Sequence, residues 1–108
     1  MKKNTPIFSD HAIRRTVQRN LSPKEVDYVI RYGERIHRAG AVFYYLRDCD
    51  LSEADQKDDD LTRLIGTAVV LSKDQKTVLT VWRNRKKGLN HIRRKSKYTH
   101  PQWMKQYA

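Results

Sequence analysis

Residues 22–47 decide the fold, because the spacing of apolar residues changes partway through the stretch SPKEVDYVIRYGERIHRAGAVFYYLR. The stretch opens with a helix-start pattern in which Ser22 is the cap and Glu25 completes a capping box. Pro23 takes the first helical position, where its missing amide hydrogen is not needed. Gly33 is typical of a residue that ends a helix. The pattern therefore predicts a helix between Ser22 and Gly33.

After this helix, apolar and polar residues alternate with the period typical of strands. Residues 34–38 are predicted as a first strand, Ala39 and Gly40 as a tight turn, and residues 41–47 as a second strand. The same alternation predicts a third strand over residues 61–71 and a fourth over residues 77–83. Strands that follow one another through short turns form an antiparallel meander.

Upstream, Ser9 can cap another helix that runs from about residue 10 to residue 20. Ile13 and Val17, with Ala12 beside them, are predicted to form its buried stripe. We therefore expect an α+β fold in which two N-terminal helices pack on one face of a four-stranded antiparallel meander sheet. The other face of the sheet is then expected to be open to a ligand.

Charge is distributed unevenly along the 108 residues, which are predicted to form one domain with its core over residues 8–83. Residues 48–60, predicted to be an acidic loop, hold seven acids and one base. The remaining chain has 22 bases against five acids, and the predicted basic tail, residues 84–108, holds no acid. Such a field attracts polyanions, so RNA is the expected partner. A chain that merely has a high pI is the alternative.

Several functional classes are disfavoured. Cys49 is the only cysteine and lies among acids, which raise a thiol pKa, so neither a disulfide nor a catalytic thiol is expected. No metal or other cofactor is predicted, because the four histidines lie in different elements at no ligand spacing. No apolar run follows the N-terminal lysines, and no basic amphipathic helix stands out. We therefore expect a cytoplasmic protein without a membrane partner.

The first candidate site lies on the N-terminal helix, where His11, Arg15 and Arg19 share one face at spacings of four. A histidine can take or give a proton near neutral pH, and arginines can hold a phosphate. This set matches what a metal-independent ribonuclease needs: a base for the 2′-hydroxyl and cations for the charged phosphorane. The alternative is a solvated basic face with a capping histidine.

The last strand and the aromatic strand supply a second candidate surface. Alternation places Thr80 and Trp82 on the open face, where they could contact a phosphate and stack on a base. One of Tyr44 and Tyr45 is expected to face away from the core. Core packing and a solubilising tail are the alternatives. The predicted nucleic-acid-binding residues are Arg19, Tyr44, Arg63, Trp82, Arg83, Arg85, Lys86, Lys87, Arg93 and Arg94.

Four short motifs carry a family resemblance: residues 11–20 (HAIRRTVQRN), residues 21–26 (LSPKEV), the Gly-Glu pair at 33–34, and residues 79–83 (LTVWR). Together they resemble a small bacterial domain family of unknown function related to the barnase/EndoU/colicin/RelE-like superfamily. That superfamily consists largely of metal-independent ribonucleases, many of them toxins with a cognate antitoxin or immunity protein. The resemblance covers about residues 8–83.

The resemblance implies roles for three residues. His11 would be the general base or acid, Arg15 an anion-stabilising group and Thr80 a phosphate contact. No motif supplies a second acid or base, for which His91 and Tyr44 are the candidates.

The sequence leaves three functions open. The leading hypothesis is an RNA-binding, metal-independent ribonuclease of the toxin type. The alternatives are a non-catalytic nucleic-acid-binding module and a protein-interaction domain that docks an acidic antitoxin-like or immunity protein.

Overall fold

A computed structural model describes residues 6–94 of the chain. The strands are β1 (Ile7–Phe8), β2 (Glu34–Arg38), β3 (Ala41–Tyr45), β4 (Thr67–Ser72) and β5 (Thr77–Arg83). The helices are α1 (Asp10–Gln18), α2 (Pro23–Tyr32), α3 (Asp59–Thr62) and α4 (Gly88–Arg93). The strands form one sheet in the order β1-β5-β4-β3-β2. Within the described residues, no helix is both long enough and apolar enough to cross a membrane.

The local signals around residue 22 are confirmed in detail. The Ser22 hydroxyl accepts a hydrogen bond from the Glu25 amide, and the Glu25 carboxylate accepts one from the Ser22 amide. Strands β2 and β5 have the predicted bounds, and β2, β3, β4 and β5 form the predicted antiparallel meander. The α+β class is therefore confirmed.

The sheet has a fifth strand that the sequence did not predict. Ile7 and Phe8 pair in parallel with Thr77 and Val78 of β5, so the sheet is mixed and not purely antiparallel. A strand of two residues is too short to show an alternating pattern.

The segment before β4 is helical and not extended. Strand β4 begins at Thr67, and the residues predicted as the start of this strand form α3 and a turn that ends at Gly66. The predicted acidic loop also has regular structure, with single 3₁₀ turns over Asp48–Asp50 and Asp55–Lys57. Buried Leu51 and a hydrogen bond of 2.7 Å from the Tyr28 hydroxyl to the Asp55 carboxylate fasten the segment to the domain.

Helix α1 buries a different side from the one predicted. Ala12 and Thr16 are buried, whereas Ile13 is 50% exposed and Val17 75% exposed. Small side chains allow α1 to lie close against β5, and the Thr16 hydroxyl donates a hydrogen bond of 2.7 Å to the Ile13 carbonyl. The prediction that Ile13 and Val17 form the buried stripe is wrong.

The second face of the sheet is covered, not open. Ile92 of α4 is fully buried in a hydrophobic cluster that also contains Phe43, Tyr45 and Val70. Gly88 allows this approach, because a Cβ there would lie 2.5 Å from the Tyr45 ring. Since the sheet is packed on both sides, neither Tyr44 nor Tyr45 faces solvent, and the prediction that one of them would is wrong.

Candidate nucleic-acid interface

Helix α1 starts beside the middle of β5. The Ser9 amide donates a hydrogen bond of 3.0 Å to the Val78 carbonyl, and the Ser9 hydroxyl donates one of 3.1 Å to the Leu79 carbonyl. The same hydroxyl accepts a hydrogen bond of 3.0 Å from the Ala12 amide, which caps the helix. From this fixed start α1 runs along β5, so residues at its far end come near the end of that strand.

His11 and Arg15 lie together on the side of α1 next to its buried line, and both are half-buried. Partial burial, followed by the positive charges of Arg15 and Arg14, lowers the pKa of His11. The imidazole is therefore neutral at neutral pH, which is the form that can accept a proton. Arg15 donates a hydrogen bond of 3.2 Å to the Gln18 side chain, while its buried Nε has no hydrogen-bond partner among residues 6–94.

Thr80 does not share this surface. It pairs with Val70 in the sheet and is fully buried, so it cannot touch a ligand at the protein surface. Its hydroxyl has no hydrogen-bond partner within the described part of the chain. The structure thus brings His11 and Arg15 together but places Thr80 inside the protein.

Four arginines, Arg19, Arg63, Arg83 and Arg85, converge where β5 ends; we call them the arginine cluster. They come from the end of α1, the residue after α3, the end of β5 and the segment that follows it. Desolvation by burial, followed by the charges of Arg63, Arg85 and Arg19, lowers the pKa of Arg83. Arg63 is half-buried, whereas Arg19, Arg83 and Arg85 are exposed at the surface.

Specific contacts hold three of the four arginines of the cluster in place. Arg63 forms an ion pair with Glu25, Arg83 donates a hydrogen bond of 3.3 Å to the Thr67 hydroxyl, and Arg85 donates one of 3.1 Å to the Thr62 carbonyl. The carboxylate of Glu25 opposes the charges acting on Arg83. The cluster therefore keeps an excess of positive charge at a defined place, which suits a phosphate group.

The Glu25 pairing was missed by sequence reasoning. Its position in the capping box already explains why a glutamate occurs there, so nothing in the sequence points to a second partner. Burial disfavours the charged carboxylate, but the Ser22 amide and then Arg63 outweigh it and lower the pKa of Glu25.

The predicted aromatic platform does not form at the surface. Tyr44 is buried, and its hydroxyl donates a hydrogen bond of 2.5 Å to the Gln75 side chain. Trp82 is half-buried, with the Tyr45 ring 6.5 Å away and the His91 ring edge-on at 5.9 Å. The lysines and arginines of the predicted tail that the structure describes are exposed: Arg85, Lys86, Lys87, Arg93 and Arg94.

Side chains that could bind a metal do not gather anywhere in residues 6–94: no group of three His, Cys, Asp or Glu is placed to hold an ion. The acids of residues 48–60 instead shape local turns. The Asp58 carboxylate accepts a hydrogen bond from the Asp60 amide, and the Asp50 carboxylate accepts hydrogen bonds from the amide and guanidinium of Arg47.

Comparison with known proteins assigns a family. A search of curated proteins and a search of solved structures each find no match. The family described as "Domain of unknown function (DUF4258)" matches residues 8–83, which include His11, Arg15 and three of the four arginines of the cluster. Because this match spans well over half of the sequence, the chain belongs to the DUF4258 family of domains of unknown function.

Proposed function

We propose that this chain is an RNA-binding domain that holds the phosphate backbone on the arginine cluster. The observation that supports this is the convergence of three other arginines on Arg83, whose charges the carboxylate of Glu25 opposes. Bringing like charges together is unfavourable unless an anion neutralises them, and guanidinium groups bind phosphate through two parallel hydrogen bonds. The resemblance to the barnase/EndoU/colicin/RelE-like ribonucleases makes RNA the preferred polyanion.

Binding to labelled RNA across a range of salt concentrations tests this proposal. The double variant Arg19→Gln, Arg83→Gln removes two charges from the cluster. The control variant Arg31→Gln, Arg35→Gln removes two exposed charges from α2 and β2. We expect the cluster variant to bind more weakly, with a salt slope smaller by about one for each phosphate that is no longer neutralised. Equal losses of affinity in both variants would show that RNA is attracted by the overall positive charge and does not bind at the arginine cluster. Equal affinity for DNA would remove the preference for RNA.

We further propose that the domain cleaves RNA without a metal, with His11 as general base. This is favoured by the lowered pKa of His11, which keeps the imidazole neutral, and by the adjacent guanidinium of Arg15. The imidazole takes the proton of a 2′-hydroxyl, and the 2′-oxygen attacks the phosphorus. Arg15 stabilises the charge on the phosphorane. The bond to the 5′-oxygen then breaks, leaving a 2′,3′-cyclic phosphate, and the departing oxygen takes a proton from water.

Incubation of RNA with the purified protein in EDTA, followed by a denaturing gel, tests the cleavage step. We expect fragments that end in 2′,3′-cyclic phosphate, and their loss in His11→Ala but not in His37→Ala, which replaces an exposed histidine on β2. Cleavage that persists in a folded His11→Ala variant would show that the mechanism is wrong. Bound but intact RNA would instead identify a non-catalytic binding module.

A second candidate function, docking of an acidic protein partner, is favoured by the outward side of α1. Ile13 and Val17 are exposed there, and Arg14 lies between them in the sequence. Apolar side chains beside a cation suit an amphipathic segment with acidic flanks. Replacing both Ile13 and Val17 with Ser should abolish copurification of such a partner and leave RNA binding intact. If copurification is unchanged, the partner does not use this side of α1.

A further inference from the structure

A cleft of about 520 Å³ opens beside the arginine cluster, between the end of β3, the 3₁₀ turn that follows it and the start of α4. Its walls combine apolar and polar groups. Ile65 and Leu89, both half-buried, supply apolar surface, and Asp48 and Asn90 supply groups that can accept or donate hydrogen bonds. This composition is typical of a site for a small ligand that has both a flat apolar face and a polar edge.

Arg85 joins the cleft to the arginine cluster. It lines the cleft, and its charge also acts on Arg83. Its hydrogen bond to the Thr62 carbonyl holds the guanidinium between the cleft and the arginine cluster. A ligand with a phosphate on the cluster would therefore have its neighbouring group at the mouth of the cleft.

The charges around the cleft point to the same kind of ligand. Arg47 lines it too, but its guanidinium lies 2.8 Å from Asp50 and 3.5 Å from Glu34. The positive charge that a ligand can reach thus comes from Arg85 and Lys86, on one side of the opening. An arginine plane at such an edge can stack on a base.

We propose that this cleft holds one unpaired base of the RNA whose phosphate lies on the arginine cluster. The inference rests on the proposed RNA binding and adds to it a preference for single strands. Bases in a duplex are stacked and paired and cannot enter a cleft, whereas bases of a single strand can turn outward. The neighbouring Asn90 amide and Asp48 carboxylate would contact the edge of the base.

Cys49 allows a direct test, because it is the only cysteine in the sequence, is exposed and lines the cleft. The rate at which its thiol reacts with Ellman's reagent is measured with a short oligouridylate and with inorganic polyphosphate. Polyphosphate carries the charge but has no base. With oligouridylate at about ten times its Kd, we expect the thiol to react about tenfold more slowly. Polyphosphate at the same multiple of its own Kd should leave the rate unchanged.

A second measurement blocks the cleft chemically. Alkylation of Cys49 with a bulky maleimide should weaken oligouridylate binding about tenfold and leave polyphosphate binding unchanged. The Cys49→Ser variant has no thiol to alkylate, so treatment with the same reagent should leave its own affinity for either ligand unchanged.

The outcomes separate this inference from the function on which it rests. If oligouridylate binds but Cys49 reacts at its free rate, the cleft holds no base, while the proposed RNA binding stands. If polyphosphate protects Cys49 equally, protection comes from coverage by any polyanion and the inference is overturned. If oligouridylate does not bind at all, both the RNA-binding proposal and the inference are overturned.

Discussion

The carboxylate of Glu25 forms an ion pair with Arg63 and also accepts a hydrogen bond of 2.8 Å from the Ser22 amide. One side chain thus completes the cap of α2 and neutralises part of the arginine cluster. The stability of a helix and the charge of a candidate binding surface therefore depend on the same carboxylate.

Replacing Glu25 with Gln should separate these two effects. The cluster gains positive charge, so RNA should bind more tightly and with a steeper salt dependence. The melting temperature should fall, because the ion pair with Arg63 is removed. Asp27→Asn, which removes an exposed carboxylate from the same helix, should change both quantities much less. Weaker RNA binding in Glu25→Gln would contradict the role given to the cluster.

Anions should stabilise the folded domain in a way that depends on their chemistry. Pyrophosphate can bridge several guanidinium groups, so at equal ionic strength it should raise the melting temperature more than chloride does. In the variant Arg19→Gln, Arg83→Gln this difference between the two salts should disappear. Thermal melts of both proteins in the two salts provide the measurement, and an undiminished difference in the variant would place anion binding elsewhere.

The pH dependence of stability should show a contribution from His11. Its pKa in the folded protein is lowered from 6.5, so below pH 6.5 the unfolded chain binds a proton that the folded chain resists. Stability should therefore fall as the pH drops below 6.5 and should gain nothing from His11 above it. The free energy of unfolding is measured by urea unfolding at a series of pH values. Its change with pH should differ between the native protein and His11→Asn only below pH 6.5.

If His11 is the base, the rate of RNA cleavage should also fall as the pH drops and His11 becomes protonated. The base works only when neutral, and a lowered pKa extends its neutral form to more acidic solution. The acidic limb of the profile of kcat/KM should lie below pH 6.5. An acidic limb above that value would exclude His11 as the base.

Gly66 should resist substitution more than Gly40 does, although both have positive φ, at 88° and 72°. A Cβ at Gly66 would lie 2.6 Å from the Cα of Arg85, whereas at Gly40 nothing lies within 4 Å. Gly40→Ala should cost about 1 kcal/mol from its backbone conformation alone. Gly66→Ala should cost at least about twice as much and should weaken RNA binding, since Arg85 must move. Equal losses of stability would mean that the Arg85 segment shifts freely.

The Tyr28 hydroxyl should fasten the acidic segment. Tyr28→Phe removes the hydrogen bond to Asp55 and keeps the ring. The free energy of unfolding should therefore fall by about 1 kcal/mol. Amide hydrogen exchange should become faster around Asp55. Tyr32→Phe changes a neighbouring ring that is 47% exposed and should have little effect on either measurement.

Features encoded within a few residues could be predicted from the sequence. The capping box at Ser22 and Glu25 depends on two side chains three residues apart, and the bounds of β5 follow from local alternation. The cap at Ser9 has the same local character. Each of these features is signalled by residues that are close together in the sequence.

The buried side of α1 and strand β1 could not be predicted, because both depend on distant partners. Hydrophobicity alone favours burial of Ile13 and Val17, but the closeness of β5 favours the smaller Ala12 and Thr16. The two residues of β1 have no period of their own and become a strand only through pairing with β5.

The candidate site was predicted in composition but not in arrangement. Charge alone could not show which arginines converge, because that depends on the turn at Gly66 and its contact with Arg85. Thr80 and Trp82 do share a face of the sheet, as alternation predicts. Their cross-strand partners in β4 are Val70 and Ala68. That face is covered by α4, and the alternation within β5 gives no sign of this because α4 lies beyond that strand in the sequence.

The parallel pairing of Ile7 with Thr77 also bears on how the protein is made. The N-terminal segment leaves the ribosome first, yet the strand it pairs with is among the last parts of the domain to be synthesised. Until β5 has emerged, α1 has no strand to lie along, so Arg19 and Arg83 cannot be brought together. The arginine cluster can therefore form only after nearly the whole domain has been synthesised.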